Sequence, residues 1–445
     1  MGNRRQFIKQ SSMLSAGIGA SFIFPTELLA SIRKKVSPND RIQVGLIGCN
    51  GMGFANLKSL LKNSEVEVVA LCDVDKNVLA AKTEALEKAG VKKPKWYGDY
   101  RKMLEDKDVD VVVIGTPDHW HCLQLVDAVD AGKDVYCEKP IANSIAECDA
   151  MLNKVNASDR MVQIGQWQRS QPHFVDAINY VHSGKLGQIR LAKAWAYQGW
   201  MGSIPVVADA PVPDGVDYKM WLGPAPDRPF NKNRFHFNFR WFWDYAGGLM
   251  TDWGVHLIDY ALYGMKAANP KSVMALGGKF AYPDDAEETP DTLQTVYEFD
   301  GFSLLWEHAT GIDGGNYGLD HGISFIGNNG TLVLNRGGWK VIPEKDRSKE
   351  NGLKLEAVPH QSVAANGLDL HTVNFLEAVK SRDKDILNAP IQVGYDTARV
   401  CHMGNIAFKT GKRVYWDAAN AKFSSAEANA QLGKEYHNGW KLPMG

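Results

Sequence analysis

The spacing of apolar residues along the chain changes near residue 165, which divides the sequence into two predicted units. Before this point, from Arg41 to about residue 160, short apolar runs alternate with segments of helical periodicity. The predicted strands are Ile42–Ile47, Val66–Cys72, Val109–Ile114, Asp134–Cys137 and Met161–Ile164. The predicted helices are Asn56–Lys62, Asn77–Ala89, His121–Ala131 and Ser144–Ser158. Strands that alternate with helices in this way indicate a doubly wound parallel sheet.

The second unit begins with a predicted helix at Gln171–Ser183 and a strand at Gln188–Tyr197. The stretch 199–245 has no sustained period, and a long irregular segment is more typical of a functional loop than of filler. One helix is predicted at Leu249–Leu262, and two more close the chain at Leu368–Ser381 and Tyr395–Lys409. Between them lie predicted strands at Ser272–Leu276, Leu293–Phe299 and Phe302–His308, and a hairpin of Ile323–Ile326 and Thr331–Leu334. We expect an open, mostly antiparallel sheet here.

The first residues resemble an export signal. Arg4 and Arg5, followed by Phe7, Ile8 and Lys9, are similar to the twin-arginine export motif, and the apolar run behind them is too short to span a membrane. We therefore expect residues 1–37 to be a leader read by the twin-arginine machinery, and the mature protein to be periplasmic without stable membrane insertion. An ordinary basic N-terminus and an uncleaved anchor remain alternatives. The expected domains are 38–164 and 165–445.

Composition narrows the possible partners. A net charge of −1 provides no basic surface for nucleic acid. The spacing of the six cysteines fits neither a disulfide framework nor a metal site, and His119 with His121 lacks a convincing third ligand. We therefore expect no metal. Many of the thirteen tryptophans lie between residues 195 and 253, where aromatic rings would suit a sugar, although most tryptophans belong to protein cores.

A glycine-rich turn follows the first predicted strand. Its sequence, Gly48-Cys49-Asn50-Gly51-Met52-Gly53, has the context of a dinucleotide-binding loop, in which glycines let the backbone approach a pyrophosphate at a helix N-terminus. Asn50 replaces the usual second glycine, and we attribute this to the tolerance of asparagine for left-handed backbone. Asp73 ends the second strand, where an acid binds ribose hydroxyls and repels a 2′-phosphate. NAD is thus favoured over NADP, with Gly48, Asn50, Gly51, Met52 and Asp73 as contacts.

Two further groups of residues follow strand ends, where doubly wound sheets bind their ligands. Thr116, Pro117 and His121 come after one strand, and Glu138 and Lys139 after the next. A lysine at this position could stabilise the alkoxide that develops as hydride leaves a substrate. It could equally be a solvated surface residue.

Asp252 and His256 are four residues apart in the predicted helix at Leu249–Leu262, so we expect them to share one helical face, with Asp259 a turn further. A histidine beside a carboxylate can accept a proton at neutral pH. Arg240, Trp243 and Tyr245 precede this helix and are candidate substrate contacts, although aromatic residues there could simply pack the domain junction.

Together these motifs resemble the glucose–fructose oxidoreductase / inositol dehydrogenase (Gfo/Idh/MocA) family, and in particular its exported branch. Glu138-Lys139-Pro140 with Asp252 and His256 is the specific part of the resemblance. It implies a Rossmann domain followed by an α/β domain whose sheet often forms an oligomer interface. It also implies that Lys139 contacts the substrate hydroxyl, that His256 is the general base and that Asp252 orients the pair. Gln166, Arg169 and His121 would line the cofactor or substrate pocket.

The leading hypothesis is a periplasmic NAD-dependent oxidoreductase that acts on a sugar or glycoside hydroxyl with non-dissociating NAD, as a homo-oligomer. The alternative is a glycosidase that oxidises its substrate, eliminates the glycoside and reduces the product again on the same NAD. Lys139 disfavours it, because members of the branch with that activity usually lack this lysine. A non-catalytic sugar-binding protein is the third hypothesis, and the presence of Lys139, Asp252 and His256 argues against it.

Overall fold

A computed structural model describes residues 41–444, so the predicted leader at 1–37 lies outside the described residues. The first unit is a six-stranded parallel sheet with the order β3-β2-β1-β4-β5-β6, which confirms the doubly wound fold. Its strands are β1 Ile42–Ile47, β2 Val66–Cys72, β3 Lys95–Tyr97, β4 Val111–Ile114, β5 Asp134–Cys137 and β6 Val162–Ile164. Its helices are α1 Gly51–Leu60, α2 Lys76–Lys88, α3 Tyr100–Leu104, α4 Asp118–Asp130 and α5 Ile145–Asn156.

The central strands of this sheet are buried on both faces. All four residues of β4 and of β5 are buried, which is why these strands occur in the sequence as short, continuous runs rather than as alternating patterns. The sequence did not predict β3 or α3. The three residues of β3, Lys-Trp-Tyr, lie at the sheet edge and are largely exposed, so they lack the apolar run that reveals an inner strand.

The second unit contains a ten-stranded sheet with the order β16-β13-β12-β11-β7-β10-β9-β8-β17-β18. Its main strands are β7 Ile189–Gln198, β8 Ser272–Gly278, β9 Thr292–Glu298, β10 Ser303–Thr310, β11 His321–Gly327, β12 Gly330–Asn335 and β13 Gly338–Pro343. The shorter strands are β14 Lys345–Asp346, β15 Gly352–Leu353, β16 Val358–Ser362, β17 Val414–Asp417 and β18 Lys422–Phe423, with β14 and β15 forming a separate hairpin. Only β7 and β10 pair in parallel within the ten-stranded sheet, so the mostly antiparallel prediction is confirmed.

The helices of the second unit are α6 Pro172–His182, α7 Tyr218–Leu222, α8 Gly248–Asp252, α9 Gly254–Met265, α10 Gly367–Ser381, α11 Ile391–Thr410 and α12 Ala426–Asn429. The single helix predicted at Leu249–Leu262 is wrong, because the structure divides it at Trp253 into α8 and α9. The backbone N–H of His256 donates to the carbonyl of Trp253, three residues back, at 3.0 Å. The carbonyl of Asp252, four residues back, instead accepts a bond from Lys139 Nζ at 3.0 Å.

The last part of the chain packs on both units. In α10, the buried Phe375 and Leu376 join a core cluster with residues of β1, β2 and β4 in the first unit. At the C-terminal end, the ring of Trp440 lies 4.9 Å from that of Trp120 in α4, and Tyr436 donates a hydrogen bond to Glu147 in α5. The two units are therefore joined by α10 and by the C-terminal segment as well as by the chain connection at residue 165.

The irregular stretch 199–245 covers one end of the first unit. Its core consists of aromatic residues, among them Tyr218, Trp221 and Tyr245, and Tyr218 stacks on Trp221 with ring centroids 5.6 Å apart. Backbone hydrogen bonds from Lys76 N to Gly215 O and from Asp217 N to Val74 O attach it to the loop after β2. No helix in residues 41–444 is long and apolar enough to cross a membrane.

Candidate active site

The glycine loop joins β1 to α1 with very little space between neighbouring backbones. A Cβ on Gly53 would lie 2.2 Å from the carbonyl oxygen of Gly48, and one on Gly115 would lie 2.5 Å from Gly53 Cα. The other side of the loop is open, because a Cβ on Gly51 would have no atom within 4 Å. The first turn of α1 has no side-chain cap, so its N–H groups are available to bind a pyrophosphate.

Asn50 has an extended backbone, with φ −97° and ψ 173°, so the left-handed conformation expected for it is wrong. Asp73 lies at the end of β2 as predicted, and its two carboxylate oxygens accept bonds from Cys49 N at 2.8 Å and Asp75 N at 3.0 Å. Burial raises the pKa of Asp73. This carboxylate is on the wall of a cavity of about 1100 Å³, which Trp96, Tyr97 and Phe230 also line. A cavity beside the acid fits the adenosine part of NAD.

The residues after β4 connect the loops that follow β4 and β5. Both ring nitrogens of His121 lie against backbone carbonyls, with Nδ1 at 2.7 Å from Pro140 O and Nε2 at 2.8 Å from Thr116 O. Burial lowers the pKa of His121 to about 4. The Thr116 hydroxyl donates to Gln124, and Pro117 is the residue before α4. His121 therefore connects the ends of β4 and β5, and its ring nitrogens are not free to line a pocket.

The residues after β5 face both the glycine loop and the second unit. Glu138 is buried, accepts a hydrogen bond from Asn56 Nδ2 at 2.7 Å, and has a pKa that burial raises. Lys139 reaches across to the second unit, where its Nζ lies 2.8 Å from Asp252 Oδ1. Arg240 Nε donates to the same carboxylate oxygen at 3.2 Å. The predicted residues Lys139, Asp252 and Arg240 therefore form one contact between the two units.

His256 lies beside this contact in the first turn of α9. It is 7% exposed, and its Nδ1 has no hydrogen-bond partner among the described residues. Its ring centroid lies 6.4 Å from Trp167 and 6.3 Å from Trp253. Burial, and then the positive charges of Lys139 and Arg336, lower the pKa of His256 well below its usual value. The imidazole is thus neutral at physiological pH and can accept a proton.

Asp252 does not orient His256 as the resemblance implied, because its carboxylate is bonded to Lys139 and Arg240. Burial by itself would raise the pKa of Asp252, but these two cations outweigh it and hold the pKa well below its usual range. Asp259, one turn beyond His256, pairs with Arg169 at 2.6 Å. The physical reason is the bonding of the Asp252 carboxylate, which accepts from Lys139 and Arg240 and makes no hydrogen bond to His256 among the described residues.

Three of the predicted site residues have structural partners. Arg169 makes a two-pronged contact with Asp259 and lies over the Tyr263 ring, 4.5 Å from its centroid. Trp243 donates to Glu288 O at 2.8 Å, and Tyr245 is fully buried in the aromatic cluster of the 199–245 stretch. We therefore no longer assign substrate contacts to them. Gln166 donates to Val255 O at 3.3 Å, and its buried Oε1 has no described partner.

Sequence reasoning missed four residues near His256: Trp167, Trp253, His321 and Arg336. They come from three segments that are far apart in the chain, so no local motif marks them. It also missed Asp118, the first residue of α4, although this residue directly follows Thr116 and Pro117 in the chain. Burial, opposed by the positive charge of Arg240, raises the pKa of Asp118 to about 8. The signal that could have identified Asp118 is an acidic residue shortly after the end of a parallel strand.

The described part of the chain contains no candidate metal centre. Residues 41–444 contain no group of three or more His, Cys, Asp or Glu side chains placed to hold a metal ion. All six cysteines are buried free thiols, and burial raises the pKa of the Cys49 thiol.

Two family models match this chain. Residues 42–166 match the model described as "Oxidoreductase family, NAD-binding Rossmann fold". Residues 179–332 match the model described as "Oxidoreductase family, C-terminal alpha/beta domain". The two matches together cover more than half of the chain, and they follow the division between the parallel and the mostly antiparallel sheet.

Among curated relatives, the chain is 36% identical over 149 residues to inositol 2-dehydrogenase of Salmonella typhimurium, which is 33% of this chain and 43% of the relative. It is 25% identical over 202 residues to an alpha-N-acetylgalactosaminidase of Shewanella oneidensis, which is 42% of this chain and 44% of the relative. The matched part thus spans less than half of the length of these relatives.

Solved structures share the fold. A levoglucosan dehydrogenase in complex with NADH and levoglucosan has a TM-score of 0.63 at 19% identity, covering 84% of this chain and 99% of that one. An aldose-aldose oxidoreductase from Caulobacter crescentus has a TM-score of 0.62 at 19% identity over the same shares of the two chains. At this identity the likeness concerns the fold alone.

The glycine loop yields a direct prediction. In Gly53→Ala, the Cβ would collide with the Gly48 carbonyl at 2.2 Å, so the loop must shift and NAD affinity should fall by tenfold or more, about 1.4 kcal/mol. Gly314→Ala is the matched control, because a Cβ there meets nothing within 4 Å and the backbone is not left-handed. Calorimetric titration with NAD measures the effect, on proteins that are first freed of resident nucleotide and whose circular dichroism matches that of the parent. Parental affinity in Gly53→Ala would contradict the assignment of this loop.

Proposed function

Because this chain belongs to the Gfo/Idh/MocA family of NAD-binding oxidoreductases, we propose that it transfers hydride between NAD and a hydroxyl-bearing carbon of a sugar or glycoside. The observation that carries the proposal is the junction of the two units, where Lys139, Asp252, Arg240 and the neutral His256 lie together. Similarity to inositol 2-dehydrogenase and to the fold of levoglucosan dehydrogenase supports a polyhydroxylated substrate.

The cofactor site follows from the first unit. The glycine loop and the N-terminus of α1 would hold the pyrophosphate of NAD, and Asp73 would bind the ribose hydroxyls. The region of Glu138 and Lys139 would hold the end of NAD that faces the second unit. Bound NAD supplies a hydride acceptor for the substrate carbon. The residues of the chain must then bind the sugar, exclude water from the junction and take up the hydroxyl proton.

His256 is the proposed general base. Oxidation of an alcohol removes a hydride from carbon and a proton from oxygen, leaving a carbonyl, so a neutral acceptor must face the hydroxyl. The charge of Lys139 and the burial of the ring keep His256 neutral. An unpartnered Nδ1 also means that no described group competes for the proton.

Lys139 is the proposed electrostatic partner of the reacting oxygen. Its ammonium group is held by the side chain and the carbonyl of Asp252, at 2.8 and 3.0 Å, which leaves one N–H for the substrate hydroxyl. A fixed positive charge stabilises the negative charge that develops on the oxygen as the proton leaves. We assign Asp252 to positioning, because it touches Lys139 and Arg240 rather than His256.

A redox-assisted glycosidase is the second candidate. The similarity to the alpha-N-acetylgalactosaminidase favours it, whereas Lys139 disfavours it. Incubation with nitrophenyl glycosides at stoichiometric NAD separates the two activities. Release of nitrophenol over many turnovers would support the glycosidase, and its absence beside NADH formation from free sugars would support the dehydrogenase.

We further propose that the protein is exported folded by the twin-arginine route, with NAD as a resident, non-dissociating group, and that it forms a homo-oligomer. The Arg4-Arg5 motif supports export, and the 199–245 stretch, which lines the cavity beside Asp73 and is hydrogen-bonded to the loop after β2, supports slow release. Fractionation of cells that express the Arg4→Lys, Arg5→Lys double variant tests the route. Periplasmic accumulation of that variant at the parental level would contradict it.

The proposed base yields a mutational prediction. His256→Gln should lower kcat for sugar oxidation by about 10² to 10⁴, the usual contribution of general-base catalysis, while NAD binding stays unchanged. His360→Ala, at an exposed position on β16, is the control and should keep parental kcat. Parental kcat in His256→Gln would contradict the assignment.

The lowered pKa of His256 also fixes the sign of the pH dependence. Only the neutral imidazole accepts a proton, and burial keeps it neutral as the pH falls through 6.5. In the parent protein, kcat/KM should therefore show no loss attributable to His256 until the pH is below 6.5. An acid limb centred above pH 6.5 that disappears in His256→Gln would be the opposite result.

A further inference from the structure

Arg336 is a largely buried guanidinium that has no acid partner among the described residues. It lies in the turn between β12 and β13, and burial lowers its pKa from the usual value. Other largely buried arginines among the described residues form ion pairs with carboxylates. Arg169 pairs with Asp259, Arg234 with Asp209 and Arg399 with Asp396, each with an N–O distance of 3.3 Å or less. Burying a charge without an opposite charge is costly, so an unpaired guanidinium in such a place indicates a ligand.

The described partners of Arg336 leave most of its donors free. Its Nε and Nη2 donate only to Gln168 Oε1, at 3.4 and 3.3 Å, which is one neutral acceptor for two N–H groups. The two acids that affect its pKa are Asp252 and Asp320. Asp252 is bonded to Lys139 and Arg240, and Asp320 to His321.

The position of Arg336 places it in the pocket of the proposed base. Its guanidinium carbon lies over both indole rings, 5.0 Å from the centroid of Trp167 and 4.7 Å from that of Trp253. The rings of the same two tryptophans lie 6.4 and 6.3 Å from that of His256. A guanidinium that packs on aromatic rings keeps the N–H donors at its edge available to a ligand.

His321 provides a second group near Trp253 that lacks a hydrogen-bond partner among the described residues. Its Nδ1 bonds to Asp320 at 2.8 Å, its ring lies 5.1 Å from that of Trp253, and its Nε2 is buried without a partner among the described residues. Burial lowers the pKa of His321, so Nε2 carries a lone pair when Nδ1 donates to the acid. This nitrogen can accept a bond from a sugar hydroxyl.

We infer that Arg336, which packs on Trp167 and Trp253, binds an anionic oxo group of the substrate, and that the enzyme therefore acts on an acidic sugar. This rests on the proposed function and names the class of sugar. A single guanidinium beside a neutral histidine matches a monoanion, either the carboxylate of a uronic acid or a sulfate ester. The fork of N–H donors suits both, and His321 binds a hydroxyl next to the acid group.

Matched sugar pairs test the inference. Binding to the NAD-loaded protein is measured by calorimetry for methyl glucoside and methyl glucuronide, for methyl galactoside and methyl galacturonide, and for the 6-sulfates of the two neutral glycosides. At least one acidic sugar should bind about tenfold or more tightly than its neutral partner. Preference for the uronide identifies a carboxylate, and preference for the 6-sulfate identifies a sulfate ester.

Arg336→Gln should abolish this preference while leaving the affinity for the neutral partner within about twofold. Arg347→Gln, at an exposed arginine beside β14, makes the same charge change on the same unit and should keep the preference. Equal loss of acidic and neutral sugars in Arg336→Gln would mean a purely structural role, which overturns the inference. Equal or weaker binding of every acidic sugar by the parent protein would overturn it as well.

Turnover separates this inference from the proposed function. If NADH forms from neutral sugars and acidic sugars are not preferred, the inference is contradicted and the oxidoreductase proposal stands. If an acidic sugar binds tightly in an Arg336-dependent way but no NADH forms, the anion site is supported and the oxidoreductase proposal is contradicted.

Discussion

The contact of Lys139 with Asp252 is the interaction on which the rest of the site depends. It is a largely buried ion pair between the end of a strand in the first unit and the end of a helix in the second. Removing one partner of such a pair generally costs about 3–5 kcal/mol, because the other charge stays buried alone. The contact fixes the distance between the two units, takes the Asp252 carbonyl out of the helical hydrogen-bond pattern, and places a positive charge beside His256. The break between α8 and α9 and the orientation of Lys139 are consequences of this arrangement, and the charge of Lys139 adds to burial in keeping the base neutral.

This arrangement requires two units that do not slide relative to each other. The core contacts of α10 with the first unit and the packing of Trp440 on Trp120 supply that rigidity from the far end of the chain. The 199–245 stretch adds a third connection through its hydrogen bonds to the loop after β2, and at the junction itself it places Arg240 against Asp252. Lys139, Arg240 and Asp252 come from separate parts of the chain and meet at this junction, which is typical of sites formed between domains.

The sequence predicted the parts of this protein that depend on local pattern. The inner strands and the glycine loop with Asp73 follow from runs and motifs in the chain. Lys139 and Asp252 were expected in one site only from the family resemblance, and Arg240 was expected to contact the substrate. The sequence could not predict the helix break at Trp253, because a side chain more than a hundred positions away competes for the Asp252 carbonyl. Nor could it predict that Tyr245 is core or that Arg336 stands beside His256. Burial and ion pairing between distant segments decide those outcomes, and apolar periodicity carries no information on them.

Direct observation of the bound nucleotide tests the central claim, that NAD and His256 act together on a sugar at this junction. The full chain is purified without added cofactor, mixed rapidly with a panel of neutral and acidic sugars, and followed by absorbance at 340 nm. We expect a burst of NADH that approaches one equivalent per chain with at least one sugar, and no burst in His256→Gln. Protein that releases no NAD or NADH on denaturation, and that shows no NADH formation after NAD is supplied, would contradict it.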